Sequence, residues 1–209
     1  NRMGPRGFPI ANVDGKQYLV KVGASKENPD REVLASSLAK DVGVNVAEVV
    51  AVKFGNKEVA ALPWMEGAKN LGEMGHRAAK EALAKVPRQE LERQALFDYV
   101  IGNLDPNDGN TIFHDGKMVA IDKEFSLTTE TGRDATSVSP PPYLRHLSPD
   151  GLSDSYTYSK EAVDSMIKDG EKVAAKLESK NEKSAAGVRD RLGVLRDFAA
   201  SDNLTAGNL

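Results

Sequence analysis

The chain of 209 residues contains no cysteine. That absence removes disulfide scaffolds, thiolate zinc sites and cysteine nucleophiles, and it suits a reducing compartment such as the cytoplasm, or a host cytosol reached by delivery. Histidine is scarce as well. His76, His114 and His146 are scattered without metal-ligand spacing and read as ordinary surface or boundary residues. No sign of charge dominates, the net charge being −3. The basic residues form no stripe with aromatics between them, so neither nucleic acid nor an anionic membrane is expected as a partner. No apolar run approaches a membrane span and no apolar signal segment opens the sequence, so no stable membrane insertion is expected. The sequence starts at Asn1 rather than methionine, as a piece of a longer protein does.

What the chain does have is an ordinary globular balance, 40% apolar and 28% charged. This is enough to bury a sizeable core in one domain, or in one domain of two small lobes. Phe8 to Val13 and Gln17 to Val22 form the arms of a hairpin turning at Asp14-Gly15, a dipeptide suited to positive φ. Pro29 can open a helix at Asp30 or Arg31, with Val33, Leu34, Leu38 and Val42 near helical spacing and Gly43 as its stop.

A second hairpin is expected from Val46 to Phe54 and Glu58 to Leu62, turning at Gly55-Asn56. Its exit, PWMEGAKNL, reads as a connector between two halves. From Leu71 to Ile101 the pattern is helical with a break at Pro87, and Leu91, Ala95, Leu96, Tyr99 and Val100 supply a buried face. A third hairpin pairs Thr111–His114 with Lys117–Ile121 across Asp115-Gly116.

Residues 128 to 158, with Pro140-Pro141-Pro142, read as a long surface loop, either an activation or docking segment or a passive linker. Two helices close the chain. Ser159 caps the first, with a stripe at Val163, Ile167, Val173 and Leu177; Val188, Leu192, Leu195 and Ala199 mark the second. The last eight residues are expected to fray. This order predicts a small β-rich lobe on a larger helical one, with a cleft between them where ligands bind.

The most informative stretch is LFDYVIGNLDPNDGNTIFHDGKMVAIDKEFSL, Leu96 to Leu127. It delivers Asp105, Asn110 and Asp122 at the ends of regular elements. Asn, Asp, Pro and Gly are also the usual turn formers, so a polar turn is the plain alternative. A calcium loop fails on register, since the twelfth place from Asp105 lacks a bidentate Glu. The Asp-x-x-x-x-Asn spacing, followed by a hairpin and a further Asp, matches the needs of phosphoryl transfer. One carboxylate takes the hydroxyl proton, while an amide and a second carboxylate hold magnesium. Lys21 in YLVKV can neutralise phosphate oxygens, or simply sit solvated on a strand. Glu32 can pair with it, or serve as an acid favoured at a helix N-terminus. Trp64 can pack on a nucleotide base or anchor the two lobes.

Together these pieces resemble the protein-kinase-like superfamily, in its atypical branch of HipA-like and phosphoinositide-kinase-like enzymes. The resemblance spans residues 18 to 127 and rests on YLVK, REVLASSLAKDVGV, PWMEG, IGNLDPNDGN and VAID. In that branch the loop commonly reads Gly-Asn-x-Asp-x-His-x-x-Asn, and Asn107 stands here where His is usual. No Gly-x-Gly-x-x-Gly precedes Lys21; the candidate phosphate cover is the short Met3-Gly4-Pro5-Arg6-Gly7. The metal Asp need not precede Phe-Gly in that branch, so Lys123-Glu124 after Asp122 is tolerated.

The resemblance implies an α+β bilobal kinase fold, with an N-lobe over 1–66 and a C-lobe over 67–209. It implies an ATP- and Mg2+-dependent phosphotransferase moving the γ-phosphoryl of ATP to a hydroxyl, expected on a protein Ser or Thr. Lys21 would contact the phosphates and Glu32 would hold it. Asp105 would be the catalytic base, and Asn110 and Asp122 would ligate magnesium. Pro63, Trp64, Met65 and Glu66 would meet the adenine. A non-catalytic nucleotide- or partner-binding module, and a nucleotidyltransferase on the same fold, are the alternative readings.

Overall fold

The computed structural model describes residues 3–4, 7–22, 29–123, 125–127 and 136–209. Two tight hairpins build the smaller lobe. Strand β1 (Ile10–Val13) pairs antiparallel with β2 (Lys16–Val20), and Asp14 and Gly15 both take positive φ, 51° and 79°. That is the primed turn whose twist suits paired strands. Strand β3 (Val50–Phe54) returns into β4 (Lys57–Pro63) through Gly55-Asn56, and the four strands run in the order β1-β2-β4-β3. Helix α1 (Pro29–Asp41) packs on β4 and β3, its Ala35, Leu38 and Ala39 fully buried.

The second hairpin is shorter than its composition suggests. Val46, expected in β3, instead bridges in parallel to Ala120, and the Ala47 N–H donates to the Ala120 carbonyl at 2.9 Å. Period-2 patterning cannot say which neighbour a strand-like segment pairs with, and here the neighbour belongs to the other lobe.

After the connector come β5 (Lys69–Asn70) and a 3-10 turn over Leu71–Glu73. The helix expected from Leu71 starts only at α2 (His76–Leu83); Pro87 separates it from α3 (Arg88–Ile101), as expected. Strands β6 (Thr111–His114) and β7 (Lys117–Ala120) join β5 in a three-stranded sheet. Helices α4 (Lys160–Glu178) and α5 (Glu182–Ala200) then pack against α3 and each other. Ser159 caps α4 as expected, its hydroxyl accepting from the Ala162 N–H at 3.3 Å. One main core, including Leu96, Phe97, Ile101, Val163, Met166, Leu177, Val188 and Leu192, lies between these helices.

Two expectations fail for one reason, tertiary burial. Residues 128–135 lie outside the described part, and the rest of the expected surface loop is exposed at 149–152 but anchored elsewhere by buried side chains. Tyr143, Leu144, Tyr156 and Tyr158 are buried, and the Tyr143 hydroxyl donates to the Leu91 carbonyl at 2.9 Å. The last eight residues do not fray either: the Tyr158 N–H donates to the Leu204 carbonyl at 2.9 Å, and the Ala206 N–H to the Tyr156 carbonyl at 2.7 Å. Proline and serine content describes local propensity and says nothing of the tyrosines anchored between. Among the described residues, no helix is long and apolar enough to cross a membrane.

Candidate active site

A cavity of about 210 Å3 lies between the lobes, walled by β2, β4, the connector after β4 and the 108–122 region. Lys21 enters it just beyond β2, its own N–H held by the Ala60 carbonyl at 3.0 Å. The ammonium donates to both carboxylate oxygens of Glu32 at 2.9 Å and to Asp122 Oδ1 at 2.8 Å. All three protons thus have acceptors. Burial alone pushes the Lys21 ammonium down, but the Glu32 and Asp122 carboxylates overcome it and raise it to about 12. The charge is therefore fixed at neutral pH.

Asn110 ends a 3-10 turn over Asp108–Asn110 and is buried in the cavity wall. Its amide nitrogen donates to the Asp105 carbonyl at 3.1 Å and lies 3.5 Å from Asp105 Oδ2. With that nitrogen engaged, the amide oxygen is the group's acceptor atom. The Asn110 carbonyl receives the Ile121 N–H at 2.9 Å, which ties the loop to the residue before Asp122. Asp122 itself is left-handed, at φ 59°.

The loop entering this region is set by the end of α3. Gly102 caps the helix at φ 65°, donating to the Asp98 and Tyr99 carbonyls, and the Asn103 side chain receives the Asp105 N–H at 3.1 Å. The fully buried Arg191 of α5 donates to the Val100 carbonyl at 2.8 Å, a cation at a helix C-terminus.

Of the residues singled out in the sequence, Lys21, Pro63, Trp64, Met65, Asn110 and Asp122 line the cavity. Glu32 stands behind Lys21, and Asp105 flanks Asn110. Glu66 lies outside the cavity wall, its carboxylate accepting the Trp64 indole N–H at 2.8 Å. Trp64 is half-buried, its main-chain N–H held by the Gln17 carbonyl at 2.8 Å.

Sequence reasoning missed Asn70, a cavity residue whose amide donates to the Gly109 carbonyl at 2.7 Å while its oxygen caps the turn at Gly72. An Asn before a short turn was the available signal. It also missed Phe8 and Leu19 in the opposite wall. Met3–Gly7, the candidate phosphate cover, falls only partly within the described residues.

An aspartate and an asparagine offering oxygen suit a hard cation such as Mg2+, which takes few protein ligands and keeps water or phosphate oxygens. Among the described residues no three His, Cys, Asp or Glu side chains converge on one point, so a caged transition-metal site is not what this geometry offers. Asp122 and Asn110, both in the cavity wall, are the residues that could hold such an ion.

The overall fold recurs in solved structures. The Helicobacter pylori proinflammatory kinase CtkA superposes with a TM-score of 0.62 at 14% identity, over 96% of this chain and 92% of its own. The chain has a protein-kinase-like fold. HipA of Shewanella oneidensis MR-1, a toxin–antitoxin component solved with HipB and operator DNA, shares this kinase-like fold. Its TM-score is 0.50 at 16% identity, over 95% of this chain and 64% of HipA. No protein-family model matches the sequence, and no curated protein does. The kinase-like fold is thus legible in the backbone where sequence comparison is silent.

Proposed function

We propose that this protein is an ATP- and Mg2+-dependent phosphotransferase acting on a hydroxyl, most simply that of a protein Ser or Thr. The observation that carries the reading is the Lys21 ammonium held between Glu32 and Asp122 in the inter-lobe cavity. A solvated strand lysine does not collect a buried carboxylate and a second, partly buried one, whereas a phosphate-binding lysine needs such fixing.

In this reading the adenine lies against Pro63, Trp64 and Met65, and Lys21 neutralises phosphate oxygens. Asp122 and Asn110 would hold magnesium, which when bound would supply charge neutralisation. Asp105 accepts the proton of the attacking hydroxyl as its oxygen bonds to the γ-phosphorus. The bond from that phosphorus to the bridging oxygen breaks, and ADP leaves. The small net charge of −3 supports a protein acceptor over a membrane lipid.

Labelled ATP tests this. γ-Label on an acceptor that is lost in Asp105→Ala and in Asp122→Ala supports the reading. α-Label on the acceptor supports nucleotidyl transfer instead, and binding without either transfer supports a nucleotide-binding module. If both variants keep γ-transfer, the assigned site is wrong.

A further inference from the structure

Asp122 is followed by a lysine whose side chain does not enter the cavity. Lys123 is 2% exposed, and its ammonium lies 2.8 Å from Oδ1 of Asp98 and donates to Oδ2 at 3.1 Å. Asp98 is itself buried, within α3. A buried ion pair is a poor source of stability, because desolvation offsets the attraction; apolar side chains of similar volume would pack there as well. What the pair does supply is direction.

The backbone it holds needs holding. Asp122 sits in the left-handed region at φ 59°, and Leu127 closes the same segment at φ 57°. Non-glycine residues persist there only where the surroundings over-determine them. On one side, the Ile121 N–H is bonded to the Asn110 carbonyl at 2.9 Å. On the other, the Ser126 N–H bonds the Lys123 carbonyl at 3.1 Å and the Leu127 N–H bonds the Ile101 carbonyl at 2.8 Å. The Lys123 side chain adds an inward tether immediately after the left-handed residue.

Asp98 has a second connection. Its main-chain carbonyl receives the N–H groups of Gly102 and, at 2.9 Å, Asn103, the residue whose side chain positions the Asp105 N–H. One residue of α3 therefore grips the Asp105 loop through its carbonyl and the Asp122 loop through its carboxylate.

We propose that Lys123 and Asp98 are positioning residues that aim the Asp122 carboxylate at the bound metal ion and keep the two loops in register. This rests on the magnesium site of the reading above. Groups that orient a metal ligand without touching the metal are worth ten- to a hundredfold in metal affinity, and the pair belongs to that class by geometry.

The test is calorimetric binding of a non-hydrolysable ATP analogue with and without Mg2+, which needs no turnover. The wild-type protein binds the analogue more tightly with Mg2+. In the double variant Asp98→Leu/Lys123→Met, which removes both buried charges at matched volume, metal-free affinity stays the same while the Mg2+-dependent gain falls by about tenfold or more. Asp98→Asn, nearly isosteric and keeping the carbonyl contacts, serves as the second variant and loses the gain likewise. A purely structural pair would leave the Mg2+-dependent gain intact in folded protein, whatever the change in melting temperature; that outcome in either variant overturns the inference. A wild-type protein that binds the analogue with no response to Mg2+ overturns the magnesium site itself, and this inference with it.

Discussion

The Lys21 ammonium lies 2.8 Å from the Asp122 carboxylate although 101 residues separate them in the chain. The contact crosses from the small lobe to the large one, so it exists only when the two are docked. It also explains why Lys21 is buried yet charged, since Glu32 meets it from α1 at 2.9 Å.

Lys21→Met should therefore act twice. Phosphoryl transfer is lost, and Glu32, 1% exposed, loses the ammonium that both its carboxylate oxygens meet. Breaking a buried pair by removing one partner costs about 3–5 kcal/mol. For a domain of this size each kcal/mol corresponds to roughly 2–4 °C in melting temperature. Calorimetry should show the drop, and Lys21→Met/Glu32→Gln should recover much of it without restoring transfer. Equal melting of wild type and Lys21→Met counts against the buried pair.

The pH response follows from the same group. Its pKa in the folded protein is raised from 10.5 to about 12, so the stability it contributes is complete below its unfolded value and fades as pH climbs through the folded one. Between pH of about 7 and 9, binding of an ATP analogue should therefore show no alkaline limb from Lys21. A titration midpoint inside that window that disappears in Lys21→Arg contradicts the assignment.

Gly102→Ala tests the entry to the Asp105 loop. Gly102 is left-handed at φ 65°, and an added Cβ would meet the Arg191 guanidinium at 2.8 Å. The left-handed conformation alone costs a residue with a Cβ about 1–2 kcal/mol. Arg191 is fully buried and cannot swing into solvent, so the measured loss in urea unfolding should reach or exceed that figure. Activity should fall further than stability predicts, because the displaced residues lead directly into Asp105.

Glu92 provides the contrasting case, a buried carboxylate remote from the cavity. It accepts from Arg88 Nε at 2.7 Å, the Tyr156 hydroxyl at 2.8 Å, the Ser159 N–H at 3.2 Å and the Ser159 hydroxyl at 2.5 Å. Glu92→Gln turns one acceptor atom into a donor facing donors, which should cost about 1–3 kcal/mol. Unfolding should register this while the rate at permissive temperature stays at the wild-type value. A rate loss without a stability loss would place Glu92 in the chemistry instead.

Much of this molecule was written in local chemistry. Asp14-Gly15 and Asp115-Gly116 specify their hairpins because positive φ is tolerated there, and Pro87 and Ser159 mark helix ends because one lacks an N–H and the other supplies an acceptor. The Asp105, Asn110 and Asp122 spacing is equally local, since a loop and one hairpin carry all three. The sequence by itself thus determined the elements and the candidate chemistry.

Tertiary structure decided the rest. Val46 pairs with Ala120 and not within its own hairpin, the tyrosines at 143, 156 and 158 bury a segment that reads as loop, and Ala206 docks a tail that reads as frayed. Asn70 enters the cavity, and Lys123 turns inward to Asp98, with no sequence period to announce either. These outcomes depend on which surfaces meet. Turn and helix preferences act over a few residues, whereas burial and ion pairing act between segments whose approach only the packed core fixes.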